Sequence, residues 1–234
     1  MTQGFPVPGA IDTVIFDFHT TLVDQGDSDG WLAEACARTR VDLDEDQAAE
    51  LTTFLHLLWD HAREVDPDAE RDLSAARHRE VYDELMTRAP HATPELVDAL
   101  YEAVSDGWRA YSDAAPVLAA LRDMGVAVVV LSNTGIDISG VLRREGLMDY
   151  VDGMVLSWQV GAVKPDPRIF AAALATVGAK PANALMVGDS ESHDAGGVPL
   201  GIRTLILPRT GGAAHGLRTV LGVVAASRRP DFLD

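Results

Sequence analysis

Hydrophobic positions along the chain change their spacing twice. Residues 13–16 (TVIF) are a continuous apolar, partly β-branched run that stops at Asp17, the pattern of a strand buried on both faces and followed by a polar loop. From about residue 27 to residue 112 no comparable run occurs. Four amphipathic stretches take its place: WLAEACARTR, DQAAELTTFLHLLWDHAREV, LSAARHREVYDELMTRA and PELVDALYEAVSDGWRAY. Apolar residues at helical spacing, such as Leu51, Phe54, Leu55 and Leu58, predict four helices, with Asp44 and Thr93 as N-caps ahead of acidic first turns. After about residue 113 helical segments alternate with short apolar runs: VLAALRDM, VAVVVL, VLRREG, GMVL, IFAAALATV, ALMV and TLIL. That alternation predicts an α/β fold whose parallel sheet is covered by helices. The core is expected from residues 1–22 and 113–234, with a helical insert over residues 23–112.

Composition fits an ordinary folded protein. The chain has 234 residues, 47% of them hydrophobic and 24% charged, which supplies a sizeable core and excludes extensive disorder. No run approaches the roughly 18 apolar residues of a membrane span, so no membrane partner is expected. The net charge of -17 repels a phosphate backbone, so nucleic acid is not an expected partner either. Residues 23–112 carry 22 acidic and 8 basic residues, so most of the acidity belongs to the insert. These acids read as solvated helix faces, or as a surface that disfavours polyanionic ligands. The lone Cys36 makes no internal disulfide, and the first residues (MTQGFPVPGAID) have neither a basic nor an apolar leader region. The cytoplasm is therefore the expected compartment, and oligomeric state is not readable.

In open parallel sheets ligands bind beyond the carboxyl ends of the strands. The polar residues found just there form a coherent set: Asp17 and His19 after the first run, Ser132 and Asn133 after VAVVVL, Lys164 after GMVL and a short loop, and Asp189 with Asp194 after ALMV. Carboxylates in hard oxygen geometry suit Mg²⁺, which a substrate phosphate commonly completes. A lysine and a serine can hold further phosphate oxygens, and a carboxylate can attack phosphorus itself.

These segments resemble the haloacid dehalogenase-like (HAD) hydrolase superfamily, in the group with an α-helical C1-type cap after the first strand. VIFDFHTTLVD resembles its first motif, VVLSNTG the second, VGAVKPDPRIF the third and MVGDSESHDAGGVPLGIRT the fourth, with Gly197 where alanine is usual. The resemblance covers nearly the whole chain. It implies a Rossmann-like core, with Asp17 as the nucleophile and Thr21 supporting its loop. It also implies Mg²⁺ held by Asp17, the His19 carbonyl and Asp189, with Asp194 as a further or water-mediated ligand. Ser132, Asn133 and Lys164 would bind phosphate. One position departs from the phosphatase pattern: His19 stands where an aspartate normally protonates the leaving oxygen and then activates water, and imidazole is the expected replacement acid/base.

The implied activity is hydrolysis of a small phosphorylated metabolite. Haloacid dehalogenation, phosphosugar mutation and a catalytically weak ligand- or partner-binding role stay open. Phosphonoacetaldehyde hydrolysis needs a cap lysine, and the only lysines, Lys164 and Lys180, lie outside the insert. His56, His61, His78 and His91 read as structural or surface residues, Arg77 and Arg79 as ion-pair partners, and Trp59, Tyr82 and Trp108 as core aromatics of the insert.

Overall fold

The computed structural model describes residues 9–24, 26 and 28–228. Its strands are β1 (Thr13–Phe16), β2 (Val23–Asp24), β3 (Arg109–Ala110), β4 (Ala127–Ser132), β5 (Gly153–Leu156), β6 (Ala184–Gly188) and β7 (Arg203–Ile206). Five of them form a parallel sheet in the order β5-β4-β1-β6-β7. β1 is central, with Val14 opposite Val128 on one side and Leu185 on the other. The chain builds outward in one direction through β4 and β5, then returns to the other side of β1 for β6 and β7. That reversal opens a crevice at the carboxyl ends of β1, β4 and β6.

The continuous apolar runs supply both faces of the sheet because side chains alternate along a strand. Val14, Phe16, Val128 and Val130 join one buried cluster, while Ile15, Val129, Leu131 and Met186 join another. Helices α1 (Ser28–Thr39), α2 (Glu45–His56), α3 (Leu58–Val65), α4 (Ala75–Met86) and α5 (Pro94–Ala103) lie between β2 and β3. They are followed by α6 (Ala114–Asp123), α7 (Ser139–Arg144), α8 (Ser157–Val160), α9 (Pro167–Val177), α10 (Glu191–Asp194) and α11 (Arg218–Ser227). α6 and α11 cover the first sheet face through Val117, Leu121, Val220 and Val224, and α9 covers the second through Ile169, Phe170 and Leu174.

The helices from α1 to α5 form a layer with its own apolar cluster, including Leu32, Leu51, Leu58, Tyr82, Leu85 and Leu100. Both expected caps are present. Asp44 accepts from Gln47 N at 2.9 Å while the Gln47 side chain accepts from Asp44 N, and Thr93 accepts from Leu96 N at 3.3 Å. Two helices differ from the sequence reading. The long second stretch breaks at Leu57, which is 41% exposed. Thr53 turns its hydroxyl back onto Ala49 O at 2.9 Å, a bond that loosens the main-chain ladder just before the break. The fourth stretch stops at Ala103, and its tail forms β3, which pairs antiparallel with β2 (Val23 opposite Ala110, Asp24 opposite Arg109). The chain thus leaves and re-enters the sheet layer through two adjacent short strands.

The helical layer meets the sheet loops at the 3₁₀ turn Glu70–Leu73. The Ser157 hydroxyl accepts from Thr134 N at 2.8 Å and also reaches the Asp72 carbonyl, joining the loops after β4 and β5 to that turn. Gly135 makes the approach possible, since a Cβ there would lie 2.3 Å from Arg71 O and 2.9 Å from Ser74 O. Among the described residues no helix is long and apolar enough to cross a membrane.

Candidate active site

Asp17 follows β1, Ser132 ends β4 and Asp189 follows β6, so the central strands deliver three of the expected residues to the crevice. The loop before α9 adds Lys164, and α10 adds Asp194. Lys164 Nζ donates to Asp17 Oδ1 at 2.6 Å and to Asp194 Oδ1 at 2.7 Å, and all three side chains are buried. The remaining carboxylate oxygens are also placed. Thr21 Oγ1 donates to Asp17 Oδ2 at 2.9 Å, and Ser190 N donates to Asp194 Oδ2 at 3.0 Å. Gly188 is required beside Asp194, because a Cβ there would stand 2.0 Å from Oδ2.

Burial raises the Asp17 carboxyl to about 6 against the opposing pull of Lys164. Burial by itself would lower the Lys164 ammonium, but Asp17 and Asp194 raise it on balance. The ammonium is therefore favoured between its two carboxyl partners. Asn133 serves this lysine: its Oδ1 accepts from Lys164 N at 2.7 Å and its Nδ2 donates to Lys164 O at 3.0 Å. The Ser132 hydroxyl is fully buried and has no hydrogen-bond partner, so it keeps its capacity for a ligand oxygen.

The loop after Asp17 carries two unusual features. The His19 ring stands edge-on to Trp108 at 4.5 Å and to Phe18 at 4.8 Å, with Nε2 closed off from solvent and unpartnered. Burial first, then the positive charge of Lys164, lowers this imidazole to about 3, so it is neutral. Thr20 takes the left-handed conformation (φ 59°), rare for a β-branched residue. Its hydroxyl lies 2.6 Å from both His19 O and Asp189 Oδ2. One hydroxyl proton cannot serve both oxygens, so the carbonyl and the carboxylate retain acceptor capacity for a cation. Among the described residues no three His, Cys, Asp or Glu side chains converge as a complete metal cage. Mg²⁺ needs none, since one or two carboxylates with waters and a substrate phosphate are its usual shell. The donors here fit that ion.

A cavity of about 740 Å³ is lined by Asp17, Lys164, Asp189 and Asp194, with Arg63 and Arg71 reaching it from the helical layer. A second cavity of about 160 Å³ adjoins it, sharing His19, Arg71, Asp72 and Asn133. Tyr82 is a core aromatic of the helical layer and Trp59 packs against the same cluster, as expected, whereas Trp108 is buried in the sheet-side cluster; both tryptophans also line cavities. Arg79 pairs with Asp83 and Asp98, and Arg77 with Glu80, as the sequence suggested. Thr20, Arg71, Asp72 and Arg209, whose Nε lies 3.6 Å from Asp189 Oδ2, were not singled out by sequence. Thr20 sits inside a recognisable motif and could have been questioned. The other three carry no local signal.

A parallel α/β sheet with an acid–ammonium–acid cluster at its switch point defines a Rossmann-like hydrolase. Residues 11–198 match a family described as haloacid dehalogenase-like hydrolase, and the chain belongs to that family. It is 35% identical over 127 residues to phosphoserine phosphatase of Thermus thermophilus, covering 52% of this chain and 49% of that one. It is 28% identical over 190 residues to glyceraldehyde 3-phosphate phosphatase of Methanopyrus kandleri, covering 79% and 78%. The structure superposes on a 2-haloacid dehalogenase from Pseudomonas syringae with a TM-score of 0.61 at 26% identity, over 92% of this chain and 98% of that one. The chain spans about half the length of several curated relatives it matches.

Proposed function

We propose that this protein is a Mg²⁺-dependent phosphatase that hydrolyses a small phosphorylated metabolite through an aspartyl phosphate on Asp17. The observation that carries the reading is the buried Lys164 ammonium between Asp17 and Asp194, beside the unpartnered Ser132 hydroxyl. Lys164 and Ser132 would hold phosphoryl oxygens, while Thr21 and Lys164 aim the Asp17 carboxylate. An Asp17 oxygen attacks phosphorus in line, the phosphorus–ester oxygen bond breaks, and the leaving oxygen takes up a proton. Water then attacks the same phosphorus, releasing phosphate and regenerating the carboxylate. The His19 imidazole, lowered to about 3 by burial, is a weak base, so its ring would give that water little help and its main-chain carbonyl is the part that serves the site. Asp17, the His19 carbonyl and Asp189 would hold Mg²⁺, with Asp194 reaching it through water; bound there, the ion offsets repulsion between carboxylates and phosphate. Residues 23–112 would act as a cap that shields the reacting atoms from bulk water. The phosphatases among its relatives support a small phosphorylated substrate, and Asp189 gives dehalogenation less support.

Phosphate release from a panel of small esters, with Mg²⁺ or EDTA, tests this directly. Wild-type turnover should require Mg²⁺ and should fall at least about 10³-fold in Asp17→Asn. Folded protein that binds Mg²⁺ yet releases phosphate from no ester would overturn it in favour of a binding role.

A further inference from the structure

The smaller cavity carries an inference about which substrate, and it rests on the phosphatase reading. Its walls include Trp59, Trp108, His19 and His78, and Asp72 and Arg71 line both it and the reaction cavity. The two charged groups are in different situations. Arg71 is already compensated, with Nη1 3.1 Å from Asp66 Oδ2 and 3.2 Å from Asp66 O. Asp72 engages only through its carbonyl, which the Ser157 hydroxyl reaches. Among the described residues its carboxylate has no hydrogen-bond or ion-pair partner.

A partly buried carboxylate that no cation contacts favours one at its side. Burial raises the Asp72 carboxyl to about 6 against the smaller pull of the Arg71 charge. The rest of the wall suits the same guest. The Trp59 and His78 rings lie 5.1 Å apart at 43°, and His19 and Trp108 lie 4.5 Å apart, edge to face. Indole faces attract cations, and His78 is itself uncharged, held at about 4 by burial. At roughly 30 Å³ per water-sized group, 160 Å³ admits about five non-hydrogen atoms. An anionic tail would meet Asp72, and a short tail fills the space.

We propose that this cavity is the leaving-group subsite and that the substrate is the phosphate monoester of a small amino alcohol, its ammonium held by Asp72 and the Trp59 and Trp108 rings. The phosphoryl group stays at Asp17 and Lys164, and the ester oxygen lies near His19, which lines both cavities.

The test compares kcat/KM for phosphoethanolamine with neutral 2-hydroxyethyl phosphate and anionic phosphoglycolate, in the wild type and in Asp72→Asn. The wild type should prefer phosphoethanolamine by at least about tenfold, and the ratio should fall towards one in the variant. A second readout needs no turnover: ethanolamine titrated into Asp17→Asn should change tryptophan fluorescence saturably, and adding Asp72→Asn should abolish that change. Equal turnover of the three esters, or preference for phosphoglycolate, would overturn the subsite and leave the phosphatase reading intact. If no ester turns over, the phosphatase reading fails instead, and the fluorescence titration alone decides whether the cavity takes an ammonium.

Discussion

Lys164 is the residue on which the reaction centre turns, since one ammonium holds two buried carboxylates in register. His19 has no such partner. With its ring neutral and no carboxylate beside it, the first step lacks a side-chain acid, so turnover should depend steeply on leaving-group acidity. Across a series of small alkyl phosphates, kcat should favour 2,2,2-trifluoroethyl phosphate over ethyl phosphate by about 10²-fold, and His19→Asp should narrow that gap; a flat dependence would show an acid at work. An ammonium close to the leaving oxygen eases the same step by lowering the pKa of that alcohol. Asp72 makes a separate prediction through stability. Its carboxyl moves from 3.8 to about 6 on folding, so native protein holds that proton where unfolded chain releases it. Below 3.8 there is no penalty; it accrues as pH rises towards 6 and persists above. Asp72→Asn should therefore stabilise the protein by about 1–2 kcal/mol at pH 7.5, with the gain shrinking at pH 4, as urea unfolding at both values would reveal.

Among the elements, the turn Glu70–Leu73 and the loop after β4 meet across Gly135, where no side chain has room. Gly135→Ala puts a Cβ against main-chain oxygens on the helical side, which cannot rotate away as a side chain could. The layer must lift, carrying Arg71 and Asp72 with it. We expect kcat/KM for small esters to fall about 10–100-fold with little change in Tm, measured by steady-state kinetics beside thermal unfolding. A variant with unchanged kinetics would show that this contact does not set the site. Sequence made one side of that junction legible. Apolar runs mark strand ends, so Asp17, Ser132, Lys164 and Asp189 could be found one after another. The other side was opaque because it is tertiary. Asp72 looks like every other acid in an acidic segment until its neighbours are known. Asn133 stands at a strand end like a ligand residue, yet its amide clamps Lys164. The break at Leu57 and the two-residue strands β2 and β3 are too short to leave a periodic trace.

At the scale of the whole molecule, charge and architecture divide together. The acidic helical layer has its own apolar cluster, and the nearly balanced sheet layer has two. An acidic layer over the reaction cavity disfavours polyanions and tolerates cations, in keeping with an ammonium-bearing ester. The paired strands β2 and β3 give this division a further meaning. Because Val23 faces Ala110 and Asp24 faces Arg109, everything between them is the loop of a two-stranded hairpin separate from the five-stranded sheet. Loop-closure entropy grows only with the logarithm of length, so a loop this long costs that hairpin about 3 kcal/mol more than a tight turn would. The helical layer can then be exchanged, lengthened or rebuilt as a cassette without disturbing the register of the strands that aim Asp17. Selection for a new substrate could act on one side of the hairpin while the chemistry on the other side stays fixed.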